Sequence, residues 1–331
     1  MASRPLTRAT ALLTATVMLA GCVTTQAGRI GADDGRDVCR QYLVALDSTG
    51  DYYGEDILQG AAVGALGGAL VGGLASGSWQ GALIGAAVGG ATGAAVGYYS
   101  ALQRQAQNQQ AIFAQMSSDL SRENAQLDRT QVAFDQLTDC RLRTAATVRD
   151  AFKSGRLSRD VAQAQIAEIR ARFQGDIQVA QRINQSITGR GAQFDTAFDS
   201  ALPGGKSAVM ASYSRPQPVR AAPRRAVVVK LRPDAGSSEV AQINAREVVA
   251  TRPGPAGYVQ VETASGVRGY APADAFPPAP RGQRAAATPP SGGTDVRSLA
   301  ATNISRRDNF SESVGNAERL AAAGGGFELA G

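Results

Sequence analysis

Histidine is absent from the 331 residues, and with it go the commonest general base and the commonest metal ligand. Aromatics make up only 5% of the chain and tryptophan occurs once, so the net charge of +6 has no interleaved stacking residues with which to hold nucleic acid. No nucleic-acid partner is therefore expected. There is no glycine loop followed by lysine to cradle phosphate, no nucleophile elbow and no Cys–His cluster. No two carboxylates pair in an apolar setting. The chain reads as a non-enzyme that needs no cofactor and no metal. With 38 glycines and 14 prolines against so few aromatics, the composition speaks for small modules on flexible links rather than one large packed core.

The N-terminus opens with Arg4 and Arg8, runs apolar from Ala9 to Leu19 and ends in small residues, the layout of a secretory signal peptide. Leu19-Ala20-Gly21-Cys22 resembles the lipobox of bacterial lipoproteins. The resemblance implies removal of residues 1–21, diacylglycerol on Cys22 and, with Val23 rather than aspartate next, sorting to the outer membrane; the soluble part is expected in the periplasm, with the cell surface as the open alternative. Residues 22–56 then form a lipidated segment with one short helix, in which Val38, Tyr42 and Leu46 share a side.

From Ile57 to Gln103 no charged residue occurs. Within this stretch Gly60, Gly64, Gly68 and Gly72 recur at spacing four, and the same offset places Gly81, Gly85, Gly89 and Gly93, with Gly97 one step further. Glycine costs about 1 kcal/mol per residue relative to alanine in a soluble helix. A stripe of them is explained by close approach of two backbones in lipid, where helices gain no hydrophobic advantage from meeting. Residues 57–99 resemble the glycine-zipper module of surface-antigen-type outer-membrane lipoproteins, a helical hairpin that associates with the membrane and with itself or another membrane protein. Each arm covers about 25 Å against a hydrocarbon core of about 30 Å, so spanning and lying at the surface both stay open. Trp79, Tyr98 and Tyr99 are placed as interfacial aromatics.

Residues 100–200 read as an antiparallel, coiled-coil-like helical stalk. Phe113, Leu120, Leu127 and Phe134 repeat every seven residues with Met116 and Leu137 beside them, while Glu123 and Thr130 weaken the seam. A break at "KSGRLS" precedes a second stripe of Ile166, Ile169, Phe173, Ile177, Ala180, Ile183 and Ile187. Cys39 and Cys140 are a candidate disulfide. A straight helix from Gly97 would carry Cys140 about 64 Å away, against a reach of about 48 Å for Cys39. The bond then needs a bend near Ser117-Ser118, an extended approach or a second chain; free thiols are the alternative.

Residues 201–224 are expected to be a disordered linker rich in Pro, Ala and Arg. The period then switches to two in "AVVVKLRP", "SEVAQIN", "REVVATR", "GYVQVET" and "VRGYAPA". Residues 225–276 resemble a bacterial SH3-like domain through Leu231-Arg232, Glu239 to Ile243, Tyr258 to Val261, and Gly266 to Tyr270. That resemblance implies a small β-barrel and a ligand such as a cell-wall peptide of peptidoglycan or a proline-containing segment. Family members carry glycine near Asn244-Ala245-Arg246 and tryptophan at Tyr258 and Tyr270. The two tyrosines are either a ligand face or part of the core. Residues 277–331 read as a mostly disordered tail, with one weak helical stripe from Val296 to Leu320 interrupted by Gly315.

The fold class is thus α plus small β modules: a zipper hairpin, a helical stalk and an SH3-like barrel. The function expected is a tether or organiser of the outer membrane, the alternative being an assembly subunit of a secretion or pilus-type complex.

Overall fold

A computed structural model describes residues 25–54, 98–212, 216–255, 257–278, 295–324 and 326–329. Residues 1–24, with Cys22 and the leader, lie outside the described residues, as do Trp79 and all of Gly60, Gly64, Gly68, Gly72, Gly81, Gly85, Gly89, Gly93 and Gly97.

Two long helices dominate. Helices α1 (Gln26–Ile30) and α2 (Arg40–Gly54) precede α3 (Gln109–Lys153) and α4 (Arg159–Ala201). Asn108 caps α3 by accepting from Ala111 N–H at 2.9 Å, and Ser158 caps α4 by accepting from Val161 N–H at 3.4 Å. Between the long helices Gly155 takes φ +72°, the left-handed conformation that lets so short a turn reverse the chain. Both expected stripes face inward: Met116, Leu120, Leu127, Phe134 and Leu137 on α3, and the Ile166-to-Ile187 set on α4, are buried.

The stalk is a bundle. Helix α6 (Val296–Ala322), numbered after the short α5 (Gly205–Ser212), packs on both α3 and α4, and α2 packs on the same pair. The tail expected to be mostly disordered therefore supplies a helix of 27 residues. It is nucleated by Asp295, whose carboxylate accepts from the N–H groups of Arg297 and Ser298. Phe310 is fully buried with its ring 5.8 Å from Phe134, edge to face, and Phe327 stacks on Phe173 at 5.2 Å. Gly315 does not break α6. Nor is 201–224 a featureless linker, since α5 and strand β1 (Val219–Ala221) fall inside it. On α2 the inward side is Leu43, Leu46 and Tyr53, with Cys39 just before the helix, whereas Val38 is 69% exposed. The side first read from Val38, Tyr42 and Leu46 was rotated because the helix begins only at Arg40.

Strands β2 (Val227–Lys230), β3 (Glu239–Ile243), β4 (Val249–Pro253), β5 (Tyr258–Glu262) and β6 (Arg268–Pro272) join β1 in one antiparallel sheet of order β1-β4-β5-β6-β2-β3. Val227, Val229, Ile243, Val249, Val261 and Ala271 bury one face. Gly269 is required where β6 meets β2, since a Cβ there would sit 2.5 Å from the Lys230 carbonyl oxygen. Arg246 adopts φ +67° in the turn between β3 and β4, the left-handed conformation that favours glycine.

This β unit is docked on the bundle. The buried Asp139 of α3 accepts from Ser238 N–H at 2.8 Å, and Asn316 of α6 pairs with the Arg268 backbone by accepting its N–H at 2.7 Å and donating to its carbonyl at 2.9 Å. Sheet, α2, α3, α4 and α6 share one apolar cluster, so small modules on flexible links is corrected to a common core for these parts.

Candidate functional site

Two places carry functional interest: the residues that flank segment 55–97, and a groove between bundle and sheet.

At the flanks, α2 delivers Tyr52 and Tyr53, and a helical stretch at 98–105 begins with Tyr98 and Tyr99. Tyr53 is 5% exposed and its hydroxyl meets Thr130 Oγ1 at 3.2 Å. Tyr98 is 1% exposed, donates to Asp119 Oδ2 at 2.9 Å and packs edge-on against Phe194 at 5.1 Å. Asp119 and Thr130 lie on one helix about 16 Å apart at 1.5 Å per residue. Between them the buried Glu123 receives Arg190 of α4 at 3.0 Å, and the Arg190 guanidinium lies 4.8 Å from the Tyr52 ring centroid. Burial raises both Tyr52 and Tyr53 above the ordinary phenol range, and the Glu123 charge adds to it, against the lowering effect of the Thr130 hydrogen bond at Tyr53. The residues on either side of segment 55–97 are thus both fixed to α3. Tyr98 is an anchor in the protein core, a correction to its placement as an interfacial aromatic. Thr130 meets Tyr53 and Glu123 meets Arg190 beneath the Tyr52 ring, which explains polar residues at these seam positions.

At the opposite end of α2 the structure joins Cys39 and Cys140 in a disulfide, with Cα atoms 5.9 Å apart. No bend occurs at Ser117-Ser118, which lie within the unbroken α3. The chain instead turns at 106–108, so 98–105 does not continue into α3 and the distance argument against the bond loses its premise. Beside the disulfide, Arg141 binds both Asp37 and Asp176, the latter at 2.6 Å, while Arg172 reaches Asp34 at 3.1 Å. The Arg141 guanidinium, hydrogen-bonded Cys39 N–H and Arg172 hold the Asp37 carboxyl below its usual value against the opposing effect of burial.

The groove, of about 310 Å³, lies between one face of α3, one face of α6 and the strand face opposite the sheet's core. Gln131, Phe134, Asp135 and Thr138 line it from α3 at helical spacing. Asn309, Glu312, Ser313 and Asn316 line it from α6 by the same logic, and Gln260, Arg268 and Tyr270 come from β5 and β6. Gln131 Nε2 donates to Asp135 Oδ1 at 2.9 Å and to Ser313 Oγ at 3.0 Å. Burial pushes the Asp135 carboxyl up to about 6 and, with the nearby Asp135 and Glu312 charges, raises Tyr270. The two expected ligand-face tyrosines part company here. Register pairs Tyr270 with Gln260 and Tyr258 with Pro272, so both point to the same side of the sheet, yet only Tyr270 lines the groove. Sequence reasoning missed Gln131, Asp135 and Thr138, because on a lone helix they read as its solvated face.

Residues 42–101 match the family model described as YMGG-like Gly-zipper. The match spans the zipper and both tyrosine-bearing flanks, and it supports a membrane-associated or surface protein without a more specific function. No curated protein and no solved structure matches the chain. No helix among the described residues is long and apolar enough to cross a membrane.

Proposed function

We propose that the protein is a non-enzymatic envelope lipoprotein, anchored through Cys22 in the outer membrane, whose glycine-zipper hairpin associates with the bilayer and with a second hairpin or another membrane protein. The bundle and its SH3-like β unit form the periplasmic body, which engages cell wall or protein. The observation that carries the reading is the mount. The glycine-rich stretch, uncharged from Ile57 onward, is flanked by Tyr53 and Tyr98, and both tyrosines are fixed to the same helix, α3, which supports a hairpin between them. Tethering would gain strength because the anchor makes each later weak contact intramolecular.

The test of the anchor is Cys22→Ser. The variant should accumulate as unprocessed precursor, incorporate no labelled fatty acid and leave the outer-membrane fraction. Unchanged labelling and fractionation would remove the lipoprotein reading. An assembly subunit of a secretion or pilus-type complex is the second reading, favoured by the single apolar cluster shared by bundle and sheet, and it predicts co-purification of a fixed set of envelope proteins.

A further inference from the structure

The groove between α3, α6 and the sheet holds a set of polar atoms that the protein leaves unsatisfied. Gln131 Oε1, Thr138 Oγ1 and Arg232 Nε are all buried without a hydrogen-bond partner, and all three residues line it. Thr138 is 3% exposed. A buried polar atom left unpaired costs about 1–3 kcal/mol, so the cavity asks for an occupant that donates to Gln131 Oε1 and Thr138 Oγ1, while Arg232 Nε–H calls for an acceptor such as a peptide carbonyl.

The charge balance says of which kind. Arg268 is committed to Glu262 at 2.7 Å and Glu312 at 3.4 Å, and the Arg232 guanidinium reaches Asp139 at 3.5 Å. Asp135 makes no ion pair among the described residues; its Oδ1 is met only by the neutral amide of Gln131. Three acceptors therefore follow one another along a single face of α3: Gln131 Oε1, the Asp135 carboxylate and Thr138 Oγ1, at relative positions i, i+4 and i+7. A primary ammonium has three donors and no acceptor. Phe134, Leu231, Pro233 and Leu320 give the same groove apolar wall for the stem of such a group, and the volume suits a side chain rather than a folded partner.

We infer that this groove is a binding site for a primary ammonium carried on a short peptide, held by Asp135, Gln131 and Thr138. The inference deepens the reading of the body as a ligand-binding unit and is independent of the anchor. A second polar cavity, under α1 around Arg141, carries no such deficit, because its charges answer one another.

The experiment is calorimetric titration of the full mature chain in non-ionic detergent with N-acetyl-lysyl-alanine amide and with the same peptide acetylated on Nζ. The free amine should bind saturably at pH 7.5 and the acetylated peptide about tenfold more weakly or worse, the loss of a charge-assisted contact. Asp135→Asn should lose a similar factor, and Thr138→Val about threefold. Binding should fall between pH 7.5 and 5 as Asp135 takes up a proton, in the presence of Asp139, Glu312, Arg232, Arg268 and Tyr270 around it. Thermal melts establish that each variant is folded, and Thr138→Val carries the test if Asp135→Asn is not. Absence of saturable binding to the parent, equal binding of the acetylated peptide, or parental affinity in folded variants would overturn the assignment. Loss of membrane fractionation in Cys22→Ser with intact peptide binding would instead count against the anchor alone.

Discussion

Replacing Phe310 by alanine measures whether the C-terminal helix belongs to the core. Phe310 is fully buried on α6, and its ring meets Phe134 of α3 at 5.8 Å and 68°. Deleting a buried phenylalanine side chain costs about 3–5 kcal/mol through lost transfer free energy and the cavity left behind. Collapse around the gap is limited, because α6 is also held by Asn316 against the Arg268 backbone and by the Arg170 guanidinium, which donates to the Ala321 carbonyl at 2.7 Å. A loss in the upper half of that range is therefore expected. The assay is urea unfolding of residues 23–331 in non-ionic detergent, with the midpoint shift converted through the m-value of the same chain. A double-mutant cycle with Phe134→Ala should show about 0.5–1.5 kcal/mol of coupling. A Phe310→Ala shift under about 0.5 kcal/mol, the range of exposed sites, would mean that the helix is not packed as described.

Cys39 and Cys140 close a loop of sequence separation 101, so the chain-entropy account assigns the bond about 4–5 kcal/mol. Cys39→Ser with Cys140→Ser should lower the unfolding midpoint accordingly, and reductant should shift the parent but leave the variant unchanged. Asp135 has a folded-state pKa raised to about 6, so between its unfolded value and about 6 the folded state holds more protons than the unfolded one and stability falls as pH rises through that window. Asp135→Asn should thus be more stable than the parent at pH 7.5, with the gap closing below about pH 4. Equal midpoints across that range would contradict the burial of this carboxyl.

The helical stripes of α3 and α4 and all five strand runs from 226 to 273 were legible because each is set by a local period. What was not legible depends on neighbours. Helix α6 looked weak because Val296, Leu299, Ile304, Phe310, Val314 and Leu320 sit among polar residues, and two of these, Asn303 and Asn316, are buried, Asn316 against the backbone of the distant Arg268. Glu123 looked like a defect in a coiled-coil seam until Arg190, 67 positions away, supplied its counter-charge. The disulfide was doubted because one assumed helix from Gly97 onward hid a turn at 106–108, which Asn108 marks by capping α3. The groove escaped notice for a related reason. Its three acceptors, Gln131, Asp135 and Thr138, share one face of α3, but only the docking of the β unit closes that face into a cavity.

The central claim is that the glycine stripe of the segment mounted between Tyr53 and Tyr98 is a helix-to-helix contact surface in the membrane. Gly64→Leu, Gly68→Leu and Gly89→Leu each raise helix propensity and hydrophobicity while filling the space that glycine leaves. The direct measurement is the yield of crosslinked oligomer or complex in native membranes, read beside membrane retention of the same variants in a Cys22-independent background. Lost crosslinking with retained membrane association is the expected result; undiminished crosslinking in all three variants would contradict the claim.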